Sequence, residues 1–447
     1  MNPPSLPGYS RRQFLKAGAA ASLMPLLGSA SAAALGAASA AAPGAVTPAV
    51  GAGSDRVRIG LVGCGGRGIG AVRNCIAADP SVQLVALGDA FADRVDAAFT
   101  EFTKGGGSNK PPLPADQFAV TRERCFTGFD AYKQVINSGI DLVLLVTPPH
   151  FRPLHLQAAF AAGVHVFAEK PVAVDPVGAR LVLQLADLAA QKKLAFVAGT
   201  QRRHSADYLE TMARLKDGAI GELTGGSCYW LQDGLWHRGR KPEWSEMEYQ
   251  MRNWLYFTWL SGDHIVEQHL HNIDIMNWAF GGPPVKAVGM GGRQSRTDPK
   301  YGNAFDHFSI EYEYANGARV QSLCRQAPGA MHRVAERLVG TKGTANPAGT
   351  ITGEKPWKFS NQLKNPYDQE HIDLIRSIRA GAPINEGRQV AETTLTAILG
   401  RMSAYTGREV SYSWLLEASK LDLTPAAYAW GDAPAVEIAI PGQTPLI

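Results

Sequence analysis

"RVRIGLVGCGGRGIGAVRNCI", Arg56 to Ile76, decides the fold. A short apolar run ends in glycines and passes into a segment of helical periodicity, so it reads as strand, tight turn and helix. Gly63, Gly65 and Gly68 stand in G-x-G-x-x-G spacing. The first glycine permits the turn, the second lets backbone approach a pyrophosphate, and the third lets the helix pack on the strand. Gly66 and Arg67 complete the loop, and the helix N-terminus behind it offers unpaired N–H groups and a positive dipole to phosphates. Such a loop alone is weak evidence. Here "VQLVALGDA" follows as a second strand and ends at Asp89, where the ribose hydroxyls of an adenosine belong. Asp89 favours NAD, because a carboxylate repels a 2′-phosphate, while Arg94 keeps NADP open. A solvated strand-end carboxylate is the bland alternative for Asp89.

Working outward, "CFTGFDAYKQVI", "DLVLLVTPP", "PLHLQAAFAAG" and "HVFAEKP" continue the alternation of strands and helices to about Gln201. That pattern predicts a parallel sheet with right-handed crossovers, a Rossmann dinucleotide-binding domain over 56–201. The Gly/Pro-rich stretch from Lys104 to Gln117 interrupts it as loop. Beyond residue 201, "LTGGSCYWLQ", "FSIEYEYANGARVQSLCRQ" and "RVAERLVGTKGTANPAG" show period-2 alternation with Asn-Gly and Lys-Gly turns. The expectation is an α/β protein whose second domain, 202–412, is α+β with an open, mainly antiparallel sheet, followed by a C-terminal extension, 413–447.

Composition narrows the function classes. Of 447 residues 45% are apolar and 19% charged, an ordinary globular balance. The formal charge of +4 comes partly from Arg11, Arg12 and Lys16; 44 Lys and Arg less these three leaves 41 against 40 acidic residues. Neither nucleic acid nor an anionic surface is called for. Five scattered cysteines without CxxC spacing suggest no disulfide framework or zinc knuckle. "SRRQFLK", Ser10 to Lys16, with the Ala-rich run after it, resembles a twin-arginine export signal, assigned to 1–42 with a linker at 43–55. Pro25, Gly28 and Gly36 break the run, which argues against a stable membrane anchor. The protein is expected in the periplasm or otherwise exported, with the twin-arginine machinery as a partner.

"AEKPVA" puts Glu169, Lys170 and Pro171 at the end of a strand, on the edge where ligands bind in such sheets. A lysine there can stabilise an alkoxide developing during hydride transfer; a snorkelling surface lysine is the alternative. With "GCGGRG", "TPP" at Thr147 to Pro149 followed by His155, "EKP", "QRR" at Gln201 to Arg203, E-x-x-x-H-x-x-D at Glu267 to Asp274 and "SIRAGAPI", the chain resembles the family of glucose-fructose oxidoreductase, inositol dehydrogenase and their relatives over about residues 56 to 412. The resemblance implies NAD(P)-dependent oxidation or reduction of sugars and polyols, a homo-oligomer (dimer or tetramer) joined through the open sheet, Lys170 as the EKP lysine and His271 as base. It also implies Thr147, Pro148, His155 and Glu169 beside the cofactor. Glu267 stands where the family usually has Asp, and His269 where it usually has Gly.

"DHIVEQHLHNID", Asp263 to Asp274, concentrates ionisable groups. At about 100° per residue, His264, Glu267, His271 and Asp274 share one helix face within roughly 80°. We expect Glu267 to fix the tautomer of a neutral, proton-accepting His271. His264, Asp274 and Arg203 are the candidate substrate contacts, Asp274 holding a sugar hydroxyl or, equally well, pairing with an arginine. His269 reads as packed and hydrogen-bonded. A zinc site from His264, Glu267 and His271 is the weaker alternative, and no metal is assigned. Trp236, Trp244, Tyr249, Trp254, Tyr256, Phe257 and Trp259 suit carbohydrate rings or an interface.

Outside the cytoplasm no free NAD pool exists, so the cofactor should travel inside the folded protein and stay there. Release slower than about 10⁻⁴ s⁻¹ with association near about 10⁶ M⁻¹s⁻¹ implies a Kd of about 10⁻¹⁰ M. A clamp is needed, expected in Lys104 to Gln117 or the linker before Asp55. The trapped cofactor must be regenerated in place by a second substrate. The alternatives are an NAD-dependent glycosidase-like sequence of oxidation, elimination and re-reduction, and a non-catalytic sugar-binding scaffold.

Overall fold

The computed structural model describes residues 56–107 and 110–447; the export signal and the linker assigned to 1–55 lie outside the described residues. Strands β1 (Val57–Val62), β2 (Val82–Asp89), β3 (Cys125–Thr127), β4 (Leu142–Leu145), β5 (His165–Ala168) and β6 (Phe196–Ala198) form one parallel sheet in the order β3-β2-β1-β4-β5-β6. Helices α1 (Gly66–Ala78), α2 (Ala92–Lys104), α3 (Ala131–Ile136), α4 (Arg152–Ala161) and α5 (Pro176–Gln191) lie between successive strands. Both faces are covered, which is why Ile59, Leu61, Leu84 and Leu144 are fully buried and the strands read as continuous apolar runs.

The strand order reverses between β1 and β4, opening a crevice at the carboxyl edge. Register makes that edge level: Val62 lies opposite Gly88 and Leu145, Leu145 opposite Ala168, and Ala168 opposite Ala198. Gly63, Asp89, Val146, Glu169 and Gly199 therefore all stand one residue beyond it.

After α6 (Ala206–Lys216) and β7 (Leu223–Gln232) come α7 (Glu246–Arg252), α8 (Thr258–Ser261), α9 (His264–Glu267) and α10 (Leu270–Phe280). The second sheet adds β8 (Lys286–Gly292), β9 (His307–Glu313), β10 (Arg319–Gln326), β11 (Arg333–Gly340), β12 (Gly343–Asn346), β13 (Thr350–Gly353) and β14 (Trp357–Lys358). The chain then runs through α11 (Pro366–Arg379), α12 (Gly387–Thr406), β15 (Val410–Ser411) and α13 (Tyr412–Glu417). The nine strands run β14-β13-β12-β11-β7-β10-β9-β8-β15, antiparallel except for the parallel pair β7 and β10. One face buries Phe308, Ile310, Tyr312 and Val320 with α10 and α12; Val288 and Met290, on the other parity, are exposed.

Chain order is not packing order. Leu374, Ile375 and Ile378 of α11 enter the core beneath β1, and α12 puts Val390 and Ala391 in the first domain's core and Leu395 and Ile398 in the second's.

The single helix expected across Asp263 to Phe280 is instead two, α9 and α10. In a continuous helix the Glu267 carbonyl would accept the His271 N–H. Here Lys170 Nζ donates to that carbonyl at 2.6 Å, and the His271 N–H turns to Gln268 O at 3.4 Å. The helix is interrupted where the ammonium, a strong charge-assisted donor, takes the Glu267 carbonyl.

The stretch from Lys104 to Gln117, expected as a clamp, lies at the wrong end. Arg73 donates to Pro111 O, and Gln117 Nε2 donates to Ile76 O, Asp79 O and Val82 O, in the second half of α1 and the turn that leads from it into β2. Thirteen helical residues put about 20 Å between that end and the glycine loop.

Candidate active site

The glycine turn is held open by backbone geometry. Gly63 has φ +102°, where a side chain would be strained, and a Cβ on Gly68 would sit 1.9 Å from Gly63 O. Gly65 and Gly66 face open space, with nothing within 4 Å of a Cβ placed on either. Gly65 caps α1 without a side chain, so the first helical N–H groups face a cavity of about 380 Å³. Asp89 lines it, accepting the Cys64 N–H at 2.7 Å and the Phe91 N–H at 3.0 Å. Burial pushes its pKa up, opposed by those two bonds and by Arg94. Thr147, Pro148 and His155 also line this cavity, His155 stacked 4.2 Å from Tyr132 and with Nδ1 3.3 Å from Thr147 Oγ1. Open amides for a pyrophosphate, a carboxylate for a diol and aromatic walls fit a dinucleotide.

A second cavity, about 230 Å³, adjoins it and shares Arg67, Val146 and Thr147. Glu169, Lys170, Glu267 and His271 line it together. Lys170 Nζ donates to Glu267 Oε1 at 2.9 Å as well as to its carbonyl. Two of the ammonium's three N–H bonds are thus committed, and one remains for the cavity. The His271 ring stacks 5.8 Å from Trp230, and its Nδ1 has no hydrogen-bond partner among the described residues. Burial first, then the positive charges of Lys170, Arg202 and Arg67, hold its pKa well below the ordinary imidazole range, so it is neutral. Arg67 bridges the cavities, paired to Glu169 and, at 3.2 Å, to Glu370. Burial and the neighbouring Glu169 raise the Glu370 pKa strongly despite Arg67 and His204.

Three expectations need correction. Glu267 holds Lys170, not the His271 tautomer, because the break after α9 turns its carboxylate toward the lysine. His264 lines neither cavity: its Nδ1 meets Asp263 Oδ1 at 3.1 Å and Phe305 O at 3.2 Å, and its ring packs 5.1 Å from Phe308. For Asp274 the arginine pairing is the one realised, with Arg203 itself, bidentate at 2.7 and 2.9 Å, Arg203 lying over the Trp278 ring and Thr393 donating to Asp274. Neither lines the Lys170 cavity; Arg203 faces a separate hollow with Trp278 and Thr393. His269 is packed as expected, Nε2 2.7 Å from Ser322 Oγ. Among the described residues no three His, Cys, Asp or Glu side chains group as a metal requires.

Arg152, Gln201 and Tyr367 also line the second cavity without having been singled out, together with Trp254, which was named only among aromatics suited to carbohydrate rings or an interface. Gln201 and Trp254 sat within quoted motifs; Tyr367, on α11, carried no local signal.

A nucleotide cradle on a Rossmann sheet, adjoined by a lysine–histidine cavity, defines an NAD-binding oxidoreductase. Residues 57–199 match the model for the oxidoreductase family with NAD-binding Rossmann fold, and 208–346 the GFO/IDH/MocA C-terminal domain. The chain belongs to the Gfo/Idh/MocA oxidoreductase family. Residues 8–28 match the twin-arginine translocation pathway signal sequence. Among curated relatives, 2,7-anhydro-N-acetylneuraminate hydratase of Escherichia coli K12 is 24% identical over 178 residues, 40% of this chain and 44% of the relative. Inositol 2-dehydrogenase 3 of Saccharopolyspora erythraea is 27% identical over 340 residues, 73% and 86% of the two chains. Glycosyl hydrolase family 109 protein 2 of Shewanella sp. ANA-3 is 27% identical over 244 residues, 51% and 47%. The matches thus span under half the length of the first and third. The solved scyllo-inositol dehydrogenase of Lactobacillus casei with bound NAD(H) and scyllo-inositol shares the fold at a TM-score of 0.60, 19% identity, covering 80% of this chain and 99% of that one.

Proposed function

We propose that the protein is an exported oxidoreductase that moves hydride between a CH–OH carbon of a sugar or polyol and a nicotinamide nucleotide held in the cleft. The observation that carries this reading is the meeting of Lys170, from the end of β5, and His271, from α10, in one cavity adjoining the glycine loop. The nicotinamide ring supplies the hydride acceptor or donor. In the oxidative direction the neutral imidazole of His271 takes the hydroxyl proton, while the free N–H of Lys170 holds the oxygen as negative charge develops. Glu267 anchors that ammonium. The surrounding positive charge makes protonated His271 a ready acid, so the same pair serves the reverse reduction. Asp89 supports NAD over NADP.

The twin-arginine match supports export with the cofactor bound and regenerated by a second substrate. Among the described residues no helix is long and apolar enough to cross a membrane. A second, redox-neutral reading, oxidation followed by elimination or hydration and re-reduction, is favoured by the hydratase and glycosyl hydrolase names among the relatives. The exposed Val288 and Met290 on the open sheet support a dimer or tetramer, which light scattering tests. Mass spectrometry of nucleotide released from denatured protein, then nicotinamide absorbance on adding sugars and glycosides, tests the activity. Release of keto-sugar or lactone without glycosidic cleavage supports the first reading. Cleavage or hydration with no net change in the nucleotide supports the second.

A further inference from the structure

The nucleotide cavity is walled from both domains. Phe91 and Phe129, in the loops after β2 and β3, form one side; Met251, Arg252 and Trp254, at the end of α7, form the other. The two walls face each other across the cavity, so their separation sets how widely it opens. Arg252 already ties them, pairing with Asp93 at 2.9 Å and lying 4.1 Å over the Phe91 ring. What holds them from outside is the C-terminal tail, which lies beyond both family-model matches.

The tail touches each side in turn. Asp175, the N-cap of α5, accepts the Leu423 N–H at 2.9 Å. The Tyr428 hydroxyl is 2.9 Å from His150 Nε2, and its ring lies 5.6 Å from Phe151. Trp430 packs against Phe91 and Phe129 at 5.3 and 4.7 Å. One residue later the tail crosses to α7: Gly431 O accepts the Met247 N–H at 3.0 Å, and Pro434 O accepts from Gln250 Nε2 at 3.2 Å. Behind the tail, toward α12, is a cavity of about 890 Å³, and the segment rests on the body through partly buried side chains such as Leu423, Tyr428 and Ala433.

We propose that residues 421–435 are a latch that retains the nicotinamide nucleotide by tying the two walls of its cavity together, with Trp430 as the wedge. This rests on the nucleotide reading above and replaces the stretch from Lys104 to Gln117 as the retaining element. The latch acts on escape, so its signature is the dissociation rate.

The test uses the full chain loaded with NADH and mixed with excess ADP-ribose, nicotinamide fluorescence reporting release. Trp430→Ala should release NADH on the order of tenfold faster than wild type, and Tyr428→Phe by a smaller factor. Trp430→Phe, which keeps a ring, should stay close to wild type. Release from Trp430→Ala within about twofold of wild type, with an unchanged melting temperature, would overturn the latch alone. If Trp430→Ala does not fold, a wild-type release rate in Tyr428→Phe does the same. Wild-type protein that carries no nicotinamide nucleotide and binds no added NADH would overturn the nucleotide reading together with the latch.

Discussion

The two ends of the cleft are built by opposite means. At the glycine loop the work is done by backbone: open amides at Gly65 and Gly66, a turn that only glycine adopts easily at Gly63, and contact distance between Gly68 and Gly63 O. All of it lies within a few residues of one chain segment. At the other end the groups are side chains brought from far apart: Lys170 and Glu267 are 97 residues apart, and Arg67 and Glu370 are 303 apart. A backbone cradle tolerates little but is encoded locally; a side-chain cluster depends on everything that packs around it.

Substitutions at the two ends should fail differently. Lys170→Ala should cost about 10²–10³-fold in kcat, the loss typical of one preorganised donor, while leaving nucleotide bound. Wild-type turnover by Lys170→Ala would sink the proposed chemistry. Asp274→Ala leaves the half-buried Arg203 guanidinium without its carboxylate, an expected loss of about 1–3 kcal/mol of stability. If the corrected placement is right, the surviving folded enzyme keeps its KM for sugar, which steady-state kinetics checks. Gly68→Ala forces its methyl into Gly63 O and should destabilise by about 1–3 kcal/mol while weakening NADH affinity, read by fluorescence titration. A fully occupied Gly68→Ala variant would mean that the loop is not the cradle.

His204 sharpens the contrast from beneath the site. Desolvation pushes its pKa down, but hydrogen bonds to Asp373 at 2.7 Å and Glu386 at 3.1 Å, with the charges of Glu386 and Glu370, carry it up to about 10. A folded-state pKa raised above the ordinary 6.5 means stability that is fully present below about pH 6.5 and lost as pH rises through about 10. His204→Gln should therefore lower Tm most at mildly acidic pH, by the equivalent of about 1–2 kcal/mol, and converge on wild type above about pH 10. Smallest is a shift in a pH profile. Because burial and neighbouring cations depress His271, the acid limb of kcat/KM for oxidation should lie well below the usual histidine range. A limb near 6.5 would assign the base elsewhere.

The sheet, its crossovers and the glycine cradle were legible because each depends on neighbours along the chain: period-2 runs, turn residues and helix starts. Lys170 and His271 were legible through motif context. Their partners were not. A straight-helix projection put His264 and His271 on one face, but the helix is broken between them where Lys170 meets the Glu267 carbonyl. Arg203 looked like a substrate contact, and for Asp274 a sugar hydroxyl and an arginine stood side by side, because sequence shows a charge without showing what neutralises it.

By itself, then, the amino-acid order determined a Rossmann sheet with a glycine turn, a lysine at its rim and a mainly antiparallel second domain. Backbone conformation follows from residues close in sequence. Only tertiary packing decided which carboxylate Lys170 holds, that Tyr367 reaches the cavity, and that the tail crosses both walls of the nucleotide site. Those choices turn on which charges and rings are left facing each other once the cores have closed, and no local pattern records that outcome.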